Sequence, residues 1–209
     1  MKAEPKSKGK IANYLAVVMI LVILLGVALG PRGSNSHMAM KSAYMQTSRA
    51  IGLVLYQYSL DHNGHYPEGK TSTEVFQQLM DGQYITDPSV FYATMRGKIR
   101  SQSNQLKSEN VCWDVTCCVD SSAPNGLPVV FMTGYKITYV PGASAVPINQ
   151  SPRTWAEWWN GPEFTKTFIA VFYYSNSAMV KRADEDGSIP NFIPADFDPK
   201  GKTYRQLTP

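Results

Sequence analysis

The sequence predicts an α+β fold in which a long N-terminal helix, first transmembrane and then amphipathic, packs on a C-terminal antiparallel β-sheet. Three observations predict it. Leu15 to Leu29 contains no polar side chain. Met40, Tyr44, Thr47, Ile51, Val54, Leu55 and Tyr58 recur at three- and four-residue spacing, the period of one helix face. Beyond about Glu109 the chain changes to β-branched and aromatic runs broken by Gly, Pro and Asn, the composition of short strands.

The first element is the run from Ile11 to Gly30, twenty residues in which only Asn13 and Tyr14 are polar. As a helix it would span about 30 Å, the thickness of a bilayer core. Lys2, Lys6, Lys8 and Lys10 precede it, whereas Arg32 and Lys41 are the first cations after it. The positive-inside rule then leaves the N-terminus in the cytoplasm. This divides the chain into a basic cytoplasmic leader (1–10), a transmembrane helix (11–30) and an exported domain (31–209). The expectation is a single-pass inner-membrane protein in contact with membrane lipid, its main domain periplasmic or extracellular. Ala28-Leu29-Gly30 also has the small-x-small layout of a cleavage site, so a discarded secretory signal is the competing reading. The whole chain has 20 Lys and Arg against 16 Asp and Glu, a net +4. With four lysines in the leader the rest is near neutral, which excludes a basic nucleic-acid-binding face.

The amphipathic helix should run from about Met38 to Asp61. Asp61-His62-Asn63-Gly64 supplies residues that tolerate a left-handed cap, and Pro67 blocks continuation. Thr71 with Glu74 forms a capping box ahead of Val75, Phe76, Leu79 and Met80, so a short second helix should reach Asp81-Gly82. Asp87-Pro88 starts a third helical turn, with Pro88 suited to the first position. Strands are expected near Val111 to Thr116, Val129 to Thr133, Tyr135 to Val140 and Phe168 to Tyr174, with shorter pieces at Ala178 to Lys181 and Ser188 to Phe192. Being close in sequence, they should pair antiparallel.

The segment Ser48-Arg49-Ala50-Ile51-Gly52-Leu53-Val54-Leu55-Tyr56-Gln57-Tyr58-Ser59-Leu60-Asp61-His62-Asn63-Gly64-His65-Tyr66-Pro67 resembles the type IV pilin and type II secretion pseudopilin family. Tyr135-Lys136-Ile137-Thr138-Tyr139-Val140-Pro141-Gly142 resembles the strand and Pro-Gly turn of the major pseudopilins, and Ala183-Asp184-Glu185-Asp186-Gly187-Ser188 their acidic Asp-Gly loop. The likeness covers residues 10 to 90 well and the rest loosely. It implies a structural subunit of a secretion or filament system, with other pilin-like subunits and the machinery as partners. The leader departs from the family pattern. Gly9 is followed by Lys10 rather than an aromatic residue or Met, and Tyr14 stands where the family carries a Glu. Such a subunit would sit at a filament tip or remain a monomeric anchor.

Four groups of residues invite chemistry. Asp184 and Asp186, with Asp196 and Asp198 ten residues on, could gather around a calcium ion, which takes six to eight oxygens. The family resemblance points the same way, because major pseudopilins bind calcium in this loop. Lys181, Arg182, Lys200 and Lys202 offer the alternative of solvated, paired loop charges. Cys112, Cys117 and Cys118 allow a bridge from Cys112 to Cys117 or to Cys118, with adjacent pairing of the last two as a further option. Trp155, Trp158 and Trp159 stand on one side of a helical turn, either as a platform for sugar, partner or membrane surface or as core. His62 and His65 read as turn residues. The chain has no Gly-x-Ser-x-Gly elbow, phosphate-binding glycine loop or His-Glu-x-x-His motif, and an enzyme is not expected. The competing functional class is an exported carbohydrate- or partner-binding module.

Overall fold

The computed structural model describes residues 33–148 and 167–209, together with Met19. The first helix, α1, spans Gly33–Asp61. It buries Tyr44, Ser48, Ile51, Leu55 and Ser59, a stripe in which two positions are serines. Each serine satisfies itself on the helix: the Ser48 hydroxyl donates to the Met45 carbonyl at 2.8 Å, and that of Ser59 to the Tyr56 carbonyl at 2.7 Å. Small, self-satisfied side chains let the helix backbone come close to its neighbours. Gly52 shows how close, since a Cβ placed there would stand 2.0 Å from the Phe172 ring. The helix stops where its cap dictates. Asn63 and Gly64 take positive φ of 55° and 85°, and the Gly64 N–H donates to the Ser59 carbonyl at 2.7 Å.

The second helix, α2, spans Ser72–Asp81 and starts as its capping box requires. The Thr71 hydroxyl accepts from the Glu74 N–H at 3.2 Å, and the Glu74 carboxylate accepts from the Lys70 N–H at 2.7 Å. Its apolar face buries Val75, Phe76, Leu79 and Met80. Phe76 stacks on Phe91 of the 3-10 turn Pro88–Phe91, with ring centroids 4.5 Å apart.

Seven strands follow: β1 (Trp113–Cys117), β2 (Pro128–Met132), β3 (Tyr135–Lys136), β4 (Val146–Pro147), β5 (Phe168–Tyr173), β6 (Ser177–Arg182) and β7 (Arg205–Leu207). Five of them form one antiparallel sheet in the order β6-β5-β2-β1-β7, and β3 pairs with β4 in a separate two-stranded ribbon. Every residue of β1, β2 and β5 is buried. The three central strands are therefore covered on both faces, which is why β2 and β5 read as unbroken apolar runs, whereas β1 alternates and buries Asp114 and Thr116. The edge strands β6 and β7 are only partly buried and carry the charges Lys181, Arg182 and Arg205, which discourage pairing with another chain.

Two expectations need correction. The domain is not a long N-terminal helix packed on a sheet: it is mostly β-sheet, with two α-helices among the described residues, only one of them long. The helix touches the edge-side strand β5 at Phe168, against Lys41 and Tyr44, and at Phe172, against Gly52, and its opposite face stays in solvent. The single-pass inner-membrane expectation is overturned as well, because among the described residues no helix is long and apolar enough to cross a membrane. The helix that is long enough carries Lys41, Arg49, Asp61 and several hydroxyl residues. The run 11–30 on which that expectation rested lies, Met19 apart, outside the described residues. Smaller differences concern the sheet. β3 is two residues rather than six, Ser188 to Phe192 contributes a single bridge (Ile189 to Ala145) instead of a strand, and β4 and β7 were not expected.

Candidate functional site

The outward face of α1 carries Met45, Arg49, Leu53, Tyr56 and Leu60 at helical spacing. Leu53, Tyr56 and Leu60 are 40%, 48% and 63% exposed. Single exposed apolar side chains are ordinary; here three are aligned on one helix face.

Beside the lower half of this stripe lies a groove of about 400 Å³. Leu53 and Tyr56 of α1 form one wall; Tyr66, Asn125, Phe172, Tyr174 and Asn176 form the floor and the other wall. Each is held by backbone structure. The cap of α1 turns the chain so that the Tyr66 N–H donates to the Val119 carbonyl at 3.4 Å. The Tyr174 N–H donates to Leu127 at 2.8 Å and the Ser175 N–H to the Asn125 carbonyl at 3.1 Å, joining the β5–β6 turn to the β1–β2 connection. Asn176 takes φ 61°, which Asn tolerates better than most residues. The rings of Tyr66 and Tyr174 lie 6.4 Å apart at 47°. Burial, with Tyr174 and Tyr56 as neighbours, pushes the Tyr66 phenol well up, so it stays protonated. Among the described residues, the hydroxyls of Tyr56, Tyr66 and Tyr174 and the carboxamides of Asn125 and Asn176 have no hydrogen-bond partner.

A second cavity of about 500 Å³ is lined by Tyr173, Met179, Lys181, Asp196, Asp198 and Lys200, among others. It takes in half of the expected calcium set, but the four carboxylates are not brought together. Among the described residues no group of three or more His, Cys, Asp or Glu stands close enough to hold a metal ion. The Asp186 carboxylate instead accepts from the Ser188 N–H and hydroxyl at 2.9 and 2.8 Å, and the Asp198 carboxylate from the Lys200 N–H at 2.9 Å. Asp184 serves the same turn through its backbone, donating to the Ser188 carbonyl at 2.8 Å.

The cysteines also differ from expectation. Cys117 is bridged to Cys118, while Cys112 is a buried thiol that donates to the Ala93 carbonyl at 3.2 Å. A bridge from Cys112 to Cys117 is excluded by the strand between them: five steps at ~3.3 Å separate them by about 16 Å, whereas a disulfide tolerates a Cα separation of about 7 Å at most. Trp155, Trp158 and Trp159 lie outside the described residues. His62 stacks on Tyr58 with centroids 3.7 Å apart and His65 bridges to Asp120, both in the turn after α1.

Sequence reasoning missed the most unusual buried group. Asp114, the second residue of β1, is fully buried. Gln206 of β7 donates to its Oδ2 at 2.6 Å and to the Tyr135 carbonyl at 2.6 Å, and accepts from the Ile137 N–H at 3.0 Å. One side-chain amide thus ties sheet, C-terminal strand and β3 together. Its carboxylate partner is left with Oδ1 unbonded. Burial pushes the Asp114 carboxyl up to about 7, against the pull of Thr133, Gln206 and the Lys98 ammonium. The available signal was the alternation of polar Asp114 and Thr116 with Trp113 and Val115, which places both polar residues on one sheet face.

No family model, no curated protein and no solved structure matches this chain.

Proposed function

We propose that the chain is a pilin-like structural subunit of a type II secretion or type IV pilus-like system, acting through surface contacts with other subunits rather than through catalysis. The observation that carries this reading is the solvent-facing stripe of α1. Leu53, Tyr56 and Leu60 are held in line on a helix whose opposite face is anchored by Ile51 and Leu55, both fully buried. A rigid apolar helix face beside a self-contained sheet domain is what repeated side-by-side packing of subunits requires. The sequence pattern from Ser48 to Pro67, which ends this helix, supports it.

The test is photocrosslinking in the native host, with a photoreactive residue at Leu60 or, as a control, at the exposed Ile99. The expected result is a crosslink from position 60 to another pilin-like subunit and none from position 99. In parallel, Leu53→Asp with Leu60→Asp should abolish assembly while the isolated chain keeps its fold by circular dichroism. Absence of the crosslink together with normal assembly of the double variant would refute the reading.

A further inference from the structure

The groove beside α1 goes beyond this reading: it shares Leu53 and Tyr56 with the packing stripe, but Tyr66, Asn125, Tyr174 and Asn176 lie off it. No charged side chain lines it, so complementarity calls for an uncharged ligand. Phe172 and Tyr66 are buried beneath the groove and back it, whereas Tyr56 is half exposed and Tyr174 partly so, and these two rings are the aromatic surface open to a ligand. Such surfaces receive a flat face of C–H bonds. Five of the lining residues carry polar side-chain groups: the phenol hydroxyls of Tyr56, Tyr66 and Tyr174, and the carboxamides of Asn125 and Asn176. None is bonded to protein among the described residues. A phenol hydroxyl and a carboxamide each both donate and accept. The matching ligand therefore presents groups that also do both, on a scaffold with an apolar face.

We infer that this groove is a binding site for a neutral oligosaccharide, a sugar ring lying between the rings of Tyr56 and Tyr174 with its hydroxyls on Asn125 and Asn176. The cavity, about 400 Å³, falls in the range of roughly 300–1,000 Å³ usual for small-molecule sites. A proline-rich peptide, the other occupant that aromatic grooves accept, offers carbonyl acceptors but few donors and would leave the Asn acceptors unmatched.

The test is isothermal titration of the isolated full chain with neutral hexasaccharides: the β-1,4-glucan, α-1,4-glucan and β-1,4-N-acetylglucosamine hexamers, alongside a neutral proline-rich decapeptide. At least one hexasaccharide should bind at millimolar or lower concentration. Tyr174→Ala should weaken that binding about five- to tenfold, the worth of one ring contact, and Asn125→Ala by a comparable factor. Tyr174→Phe keeps the ring and should lose less, which separates loss of a contact from loss of the fold. Leu60→Asp lies outside the groove, so it should leave sugar binding unchanged even where it blocks assembly; the two proposals therefore fail separately. Failure of all three hexasaccharides to bind, binding unaffected by Tyr174→Ala and Asn125→Ala, or binding of the peptide alone would overturn the assignment.

Discussion

Asp114 makes the stability of this domain fall with rising pH across the neutral range, and Asp114→Asn should abolish that fall. In the folded chain the carboxyl titrates near 7 because it is buried, against about 3.9 in the unfolded chain. Between those values the native state holds a proton that the unfolded state has released. Stability changes with pH in proportion to the protons bound unfolded minus those bound folded, and here that difference is negative. The contribution is therefore greatest below about pH 4 and is lost as pH climbs through 7. Three pKa units at 1.36 kcal/mol each make the loss on the order of 4 kcal/mol, complete near pH 8. The Lys98 ammonium is the charge that moderates it. Urea unfolding followed by tryptophan fluorescence at pH 4.5, 6, 7 and 8 measures the slope. Asp114→Asn keeps the shape, still offers an oxygen to Gln206 and cannot ionise, so its slope over pH 4.5–8 should be flatter and its stability at pH 8 greater than wild type. Equal slopes in the two proteins would refute the account of a carboxyl buried without full compensation.

Asp120 gives the opposite sign in a different window. The hydrogen bond and charge of Lys202, helped by Ser122, hold its carboxyl down to about 2, so the stability it supplies is present above pH 4 and lost as pH falls towards 2; Asp120→Asn should remove that acid-side loss, at a cost of no more than about 1 kcal/mol at pH 7 for a pair this exposed. Gly52→Ala should destabilise the domain by roughly 1–3 kcal/mol despite alanine's better helix propensity, because the new methyl meets the Phe172 ring; a more stable variant in thermal unfolding would show that the helix moves freely off the sheet. Thiol titration should find no reactive cysteine in the native chain, one after unfolding and three after reduction, since Cys112 is buried and Cys117 is paired with Cys118; three reactive thiols after unfolding without reductant, or one already reactive in the native chain, are incompatible with the pairing.

Local signals were legible in the sequence where the physics is local. The left-handed cap at Asn63-Gly64, the Thr71–Glu74 box and the apolar run of β5 are each decided by residues within a few positions of one another, and the structure has them where the sequence puts them. The buried face of α1 was only half legible, because an apolar period assigns Thr47, Val54 and Tyr58 to the interior. What lies there instead is Ser48, Gly52 and Ser59, small residues selected by how near the sheet comes. That distance is a tertiary quantity which no helical period encodes.

The same reason explains why the groove could not be read. Tyr56, Tyr66, Asn125, Phe172 and Tyr174 come from a helix, a turn, a strand connection and a strand end more than a hundred residues apart. No two of them form a motif, and each alone reads as an ordinary core or turn residue. They converge because β5 pairs with β2 and the helix crosses close to Phe172 at Gly52. The glycine that lets α1 approach thus also sets the wall of the groove. Gly52→Ala should accordingly disturb saccharide binding as well as stability, whereas Asp114→Asn, on a different strand and absent from the groove lining, should change stability alone. A domain in which both variants left binding untouched would have its ligand contacts somewhere other than along this helix.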